Sequence, residues 1–119
     1  MQFLAFLGRI MFGLYFIYQG YNHFKNATHM TAYAKHKNVP KPATSVLITG
    51  VLLAVGGLGM FLNASIKMSA VILLIFMIPT TFMMHAFWKE KDSALRMNEQ
   101  IAFFKNMALV GALLMMLNF

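Results

Sequence analysis

The sequence predicts an all-α fold, a four-transmembrane-helix antiparallel bundle, and three observations lead there. Four separated apolar stretches each reach the roughly 20 residues that a helix needs to cross a bilayer core. Hydrophobic residues make up 60% of the 119 and charged ones 11%, more apolar surface than a soluble domain this small can hide. The basic residues collect in the connections between the stretches. One domain is expected over residues 1–119, with spans at about 3–24, 44–62, 68–87 and 101–119.

Span 1 begins at Phe3 without the basic leader or small-residue cleavage site of a secretion signal, and its apolar run is too long for one, so it is read as a retained helix. It carries one charge, Arg9, which a rise of about 1.5 Å per residue places roughly 9 Å inside the run. Arg9, Gly13, Phe16, Gly20 and His23 recur at helical spacing and share one stripe, with Tyr15, Gln19 and Asn22 beside it. The glycines offer small faces for close helix approach.

The first connection is basic, with Lys25, Lys35, Lys37 and Lys41 besides His29 and His36. Residues 28–37 suit a short helix at headgroup level, with Met30, Tyr33 and Ala34 on one side. Asn38 fits a left-handed C-terminal cap, and Pro40 and Pro42 stop continuation. Span 2 is rich in glycine (Gly50, Gly56, Gly57, Gly59) and uncharged, and the Asn63–Ala64–Ser65 turn makes spans 2 and 3 antiparallel neighbours. In span 3, Pro79 cannot bond the Ile75 carbonyl, which predicts a kink, and Thr80 and Thr81 are placed to satisfy freed backbone groups. Thr81, His85 and Trp88 are expected to share a face. The third connection holds all three acids, Glu90, Asp92 and Glu99, and Asp92 or Ser93 is suited to cap a helix leading into span 4.

Loops 1 and 3 carry most of the positive charge, so the positive-inside rule places them in the cytoplasm and both termini outside. The net charge of +7 then meets anionic lipid rather than nucleic acid. The absence of cysteine removes thiolate chemistry and Cys-ligated metal sites. No metal site is expected: His29 and His36 are seven apart with no carboxylate nearby in sequence, and the methionine pairs suit packing better than copper. Proton-coupled export by a carboxylate in the first span is excluded, since no acid precedes Glu90.

Two places remain where chemistry can reside. Arg9 has no acidic partner on its side of the membrane. It can reach a lipid phosphate, the carbonyls of a helix end, or a ligand such as a quinone carbonyl or an anionic headgroup. At the opposite ends of the spans, Asn22, His23, His85, Trp88, Lys105 and Asn106 are expected to cluster, either as an interfacial anchoring network or as a site where a histidine bonds a carbonyl or relays a proton. The candidate ligand-binding residues are therefore Arg9, Gln19, Asn22, His23, Thr81, His85, Trp88, Lys105 and Asn106. No catalytic residue is assigned.

These stretches resemble a known family. GRIMFGLYFIYQGYNHF (8–24) is similar to the first span of DoxX-type membrane proteins, NVPKP (38–42) to their Gly-x-Pro-x-Pro loop with Asn38 in place of glycine, and ITGVLLAVGGLG to their second span. HAFWKEKD followed by IAFFKNMALVGALL resembles their His-x-Phe-Trp and Phe-x-Lys-Asn-x-Ala-Leu-x-Gly pattern. The resemblance implies a four-helix protein of the bacterial inner membrane. The family name comes from a subunit linked to thiosulfate:quinone oxidoreduction. Other members are described as partners in redox-stress complexes, and distant relatives as assembly chaperones or cargo receptors. Many members carry a glutamate near the start of span 2, where this chain has Val46 and Leu47, so an arginine–glutamate pair between spans 1 and 2 lacks its acid.

Two functions follow as expectations. In one, the chain is a subunit associated with an oxidoreductase, binding a quinone or similar lipid-soluble carrier, and not a complete enzyme alone. In the other, it is a non-catalytic adaptor, chaperone or assembly factor that uses its glycine-rich faces and basic loops to hold another membrane protein or a second copy of itself.

Overall fold

A computed structural model describes residues 2–118, and among them the regular structure is entirely helical. The order is α1 (Gln2–Lys25), α2 (Ala27–His36), α3 (Pro42–Leu62), α4 (Ile66–Met84), a 3₁₀ turn (Phe87–Lys89) and α5 (Ser93–Met116). Four of these segments, with the 3₁₀ turn extending the third, are long and apolar enough to cross a membrane. The molecule is 46 Å long, close to the ~40–45 Å of a bilayer with its headgroup layers. Its outward faces are apolar: Phe3, Leu4, Met11, Ile48, Ile75, Phe104 and Met115 are all exposed. Such exposure would be a liability in water and is the expected lipid-facing surface of a multi-pass membrane protein.

Local chemistry sets the helix ends. Ser65 caps α4 by accepting from the Met68 amide at 3.3 Å, and Asp92 caps α5 by accepting from the Leu95 amide at 3.0 Å. Asn38 adopts a left-handed φ of 62° just after α2, and Asn63 one of 56° at the end of α3, both tolerated by asparagine. α4 runs through Pro79 and stops at Met84, where His85 leaves the helical region with φ −121°. Trp88 therefore sits in a separate 3₁₀ turn rather than on the α4 face of Thr81 and His85, a departure from the sequence expectation. Thr81 differs in a second way: its hydroxyl is fully buried and makes no hydrogen bond among the described residues, so it does not relieve the backbone freed at Pro79.

α1 and α3 run antiparallel at very close range. A Cβ on Gly57 would lie 2.7 Å from the Ile17 amide nitrogen, and one on Gly13 2.8 Å from that of Phe61, so the two backbones touch where side chains are absent. α4 packs on the other side of α3, with Leu73 filling the space over Gly56. α5 packs on α4 and on the 3₁₀ turn. The core between the layers is formed by Phe16, Leu53, Met60, Leu73, Met77, Val110 and Leu113. The outer helices α1 and α5 form no comparable backbone seam. Side chains bridge them, and Lys105 Nζ donates to the Tyr15 hydroxyl at 3.3 Å across the gap.

Candidate functional site

Under that gap, at the end where loops 1 and 3 lie, is a cavity of about 390 Å³. Every helix contributes to its wall. The apolar part comes from Phe16, Leu52, Leu53, Ile75, Phe76 and Met77, and α2 closes one side with Met30, Tyr33 and Ala34. The three residues that the sequence places on one side of a headgroup-level helix thus face inward onto this space. The polar part comes from Gln19 and His23 of α1, Thr49 of α3, His85 after α4, and Lys105 and Asn106 of α5.

Five of the nine candidate residues meet at the cavity: Gln19, His23, His85, Lys105 and Asn106. The other four lie elsewhere. Arg9 is at the opposite end, where Nη1 donates to the Met60 carbonyl at 2.8 Å and to that of Phe61. Those are last-turn carbonyls of α3: the Met60 oxygen also accepts from the Asn63 amide at 3.2 Å, the Phe61 oxygen has no backbone donor, and the guanidinium meets both at the negative end of the helix dipole. Asn22 bonds Asn26 on the exposed side. Thr81 is packed within the core. Trp88 joins Phe82, Phe87 and Phe103 in an edge-to-face cluster, with its ring centroid 5.5 Å from that of Phe103, as suits an aromatic at the membrane boundary.

At the cavity, two polar side chains, Gln19 and Asn106, and one ring nitrogen of a third, His23 Nε2, have no protein partner. His23 and Asn106 are each 8% exposed, and Gln19 is half-buried. Among the described residues no group bonds the Asn106 amide, the Gln19 amide or His23 Nε2, yet none of these atoms is sealed from a probe as Thr81 Oγ1 is. All three residues line the cavity. Polar groups buried to this degree are ordinarily hydrogen-bonded, so the space is chemically unfinished.

Beside it lies a network that joins the first loop to the last helix. Glu99 is buried on α5 and accepts from the Tyr33 hydroxyl at 2.9 Å and from His85 Nδ1 at 3.1 Å, and it also pairs with Lys37. Lys37 reaches Glu90 as well, at 3.0 Å. One ammonium thus sits between two carboxylates, and Tyr33 and His85 supply further donors to the inner one. Burial and then the Glu99 hydrogen bond push the Tyr33 hydroxyl up to about 12 from its usual 10.0. Burial opposes the Lys37 charge, but the bonds to Glu99 and Glu90 outweigh it and hold the ammonium above its ordinary value. The sequence reading left these acids as loop residues. Only Tyr33 on the inward side of α2 and Lys37 just past its end, four apart, hinted that a carboxylate must meet them. Among the described residues no group of three His, Asp or Glu side chains is placed to hold a metal ion.

The fold and this site define a class: a multi-pass α-helical membrane protein with a partly polar cavity inside the bundle. The chain belongs to the DoxX family, whose model matches residues 4–86. The matched part holds α1 to α4 and ends at Ala86, so Glu99, Lys105 and Asn106 lie beyond it. No curated protein matches the chain, and neither does any solved structure.

Proposed function

We propose that this DoxX-family protein binds a lipid-soluble carrier, a quinone or a similar ring on an apolar tail, as a subunit associated with an oxidoreductase of the bacterial inner membrane. The observation that carries the reading is the cavity, apolar over most of its wall, in which His23 Nε2 and the Asn106 and Gln19 amides lack protein partners. Binding sites for small molecules have this character, with a few placed polar groups in an apolar pocket. A volume of about 390 Å³ accommodates a substituted ring, and the gap between α1 and α5 gives a tail a way out into the lipid. Loops 1 and 3, which border the site, face the cytoplasm in this reading because they hold most of the basic residues.

The adaptor reading is less well supported. It relied on glycine faces open to another protein, but Gly13, Gly20, Gly50, Gly56, Gly57 and Gly59 all meet neighbours within the chain, and only Gly8 and Gly111 have open space around them. The test is to purify the protein in mild detergent, extract it with organic solvent, and identify what is released by mass spectrometry. A carrier recovered near one per chain, and lost in Asn106→Leu, supports the proposal. Recovery of phospholipid alone, in membrane proportions, sinks it.

A further inference from the structure

The hydrogen bonds behind the cavity fix what its deepest histidine can do, and from them we infer that the site recognises a hydroxyl donor: a phenolic, hydroquinone-type ring, in preference to the dione. This rests on the carrier-binding reading above and specifies the chemical form that is bound.

His23 Nδ1 lies 3.1 Å from the Val46 carbonyl oxygen. A carbonyl only accepts, so this contact is a hydrogen bond only when Nδ1 carries the proton. The Thr49 hydroxyl, also 3.1 Å from Nδ1, does not change that. Its single proton has a better acceptor in the Ser45 carbonyl at 2.7 Å, which leaves its oxygen free to accept from the ring. In a neutral imidazole with a protonated Nδ1, Nε2 holds a lone pair. Among the described residues no charged group bonds or pairs with this ring, and Phe76 stands edge-on to it at 5.9 Å. Nε2, the free ring nitrogen of a residue that lines the cavity, is therefore an acceptor, in a pocket too apolar to leave it unpaired without cost.

A carbonyl oxygen at that place would set lone pair against lone pair, whereas a hydroxyl would donate. Asn106 can give or take a hydrogen bond, so it tolerates either form at the far side of a ring. Discrimination between the hydroxylated and oxidised rings falls to His23. It should be worth about tenfold or more in affinity, the effect of one unmade hydrogen bond in a desolvated site.

Two measurements in lipid nanodiscs test this. The first is ¹⁵N NMR of histidine-labelled protein, with His23→Phe assigning the signal. His23 should show a protonated Nδ1 and a bare Nε2, and the Nε2 resonance should move when hydroquinone is added. The reverse tautomer overturns the inference. The second is anaerobic calorimetry with three short-tailed probes: an alkyl hydroquinone, its benzoquinone and its dimethyl ether. The hydroquinone should bind at least about tenfold tighter than the other two. The ether probe needs no change to the protein, so the test holds even where His23→Phe folds poorly. Equal binding of all three overturns the donor inference and leaves the carrier site standing. Binding of none removes the carrier site and the inference with it.

Discussion

Adding a single methyl group to Gly57 tests how the bundle is held together. A Cβ there would stand 2.7 Å from the Ile17 nitrogen, 2.9 Å from the Gly13 oxygen and 3.0 Å from the Phe16 Cβ. Two of these are backbone atoms that no rotamer change can move. To bring the closest one to 3.4 Å, where ordinary contact begins, α1 and α3 must part by about 0.7 Å. A gap of that size forfeits roughly a quarter to a half of each dispersion contact it opens, and in lipid such packing is a main source of helix association. Overpacking of this kind costs about 1–3 kcal/mol. Alanine also gains about 1 kcal/mol over glycine as a helix former, so the comparison must cancel that gain. Gly8→Ala and Gly111→Ala provide it, since nothing lies within 4 Å of either added carbon. In bicelles titrated with sodium dodecyl sulfate and followed by far-ultraviolet circular dichroism, Gly57→Ala should fall about 1–3 kcal/mol below both controls. If it matches them within about 0.5 kcal/mol, the ordinary scatter of a surface change, the close seam is not what stabilises the bundle.

Other outcomes follow from the same geometry. Lys37→Met removes the cation shared by Glu90 and Glu99, whose side chains are 23% and 10% exposed; it should cost about 3 kcal/mol or less, because Glu90 keeps some water, and should speed tryptic cleavage after Lys35 as α2 loosens. Unchanged cleavage would mean that α2 is held by its apolar side alone. In an alkaline titration of tyrosine absorbance, one phenol should ionise near pH 12 and vanish in Tyr33→Phe. The Tyr33 value is raised by folding, so its stabilising contribution is complete below pH 10 and is lost as pH climbs towards 12; a Tyr33 that ionises near 10 would contradict the burial of its hydroxyl and the bond to Glu99. Arg9→Leu should cost about 1 kcal/mol, the Met60 carbonyl keeping the Asn63 amide and the Phe61 carbonyl taking up water at the boundary. It should leave the amount of extracted carrier unchanged, and a fall in that amount would show that Arg9 serves the cavity.

The spans were legible because length and hydropathy are read locally, and so were the caps at Asn38 and Asp92, where one residue's chemistry decides. The stripe through Gly13, Phe16, Gly20 and His23 was legible from its spacing, and these are the four buried residues of α1. The site was legible only in part. His23, His85, Lys105 and Asn106 were gathered at one end correctly, but the partners of Glu99 were not, because Tyr33 is 66 residues away from it in the chain. Trp88 was misplaced because the spacing argument assumed that α4 continues past His85, where the backbone leaves the helix. Arg9 had three open partners in the sequence, and only the position of the α3 terminus, brought in by the glycine seam, selected the carbonyls of Met60 and Phe61.

The placing of every acid from Glu90 onward bears on how the protein is made. When α1 and α3 have both emerged from a ribosome they already hold all the glycines of their seam, so the first pair of spans can lock in the bilayer early. α2 cannot lock with them, because the nascent chain contains no carboxylate side chain for Lys37 or Tyr33 to meet. Until Glu90 and then α5 arrive, that segment is an unclasped basic helix beside the headgroups, and until α5 does the cavity lacks the wall carrying Lys105 and Asn106. Biogenesis therefore completes the ligand chamber last, and a chain cut short before its final span would insert with the chamber still open.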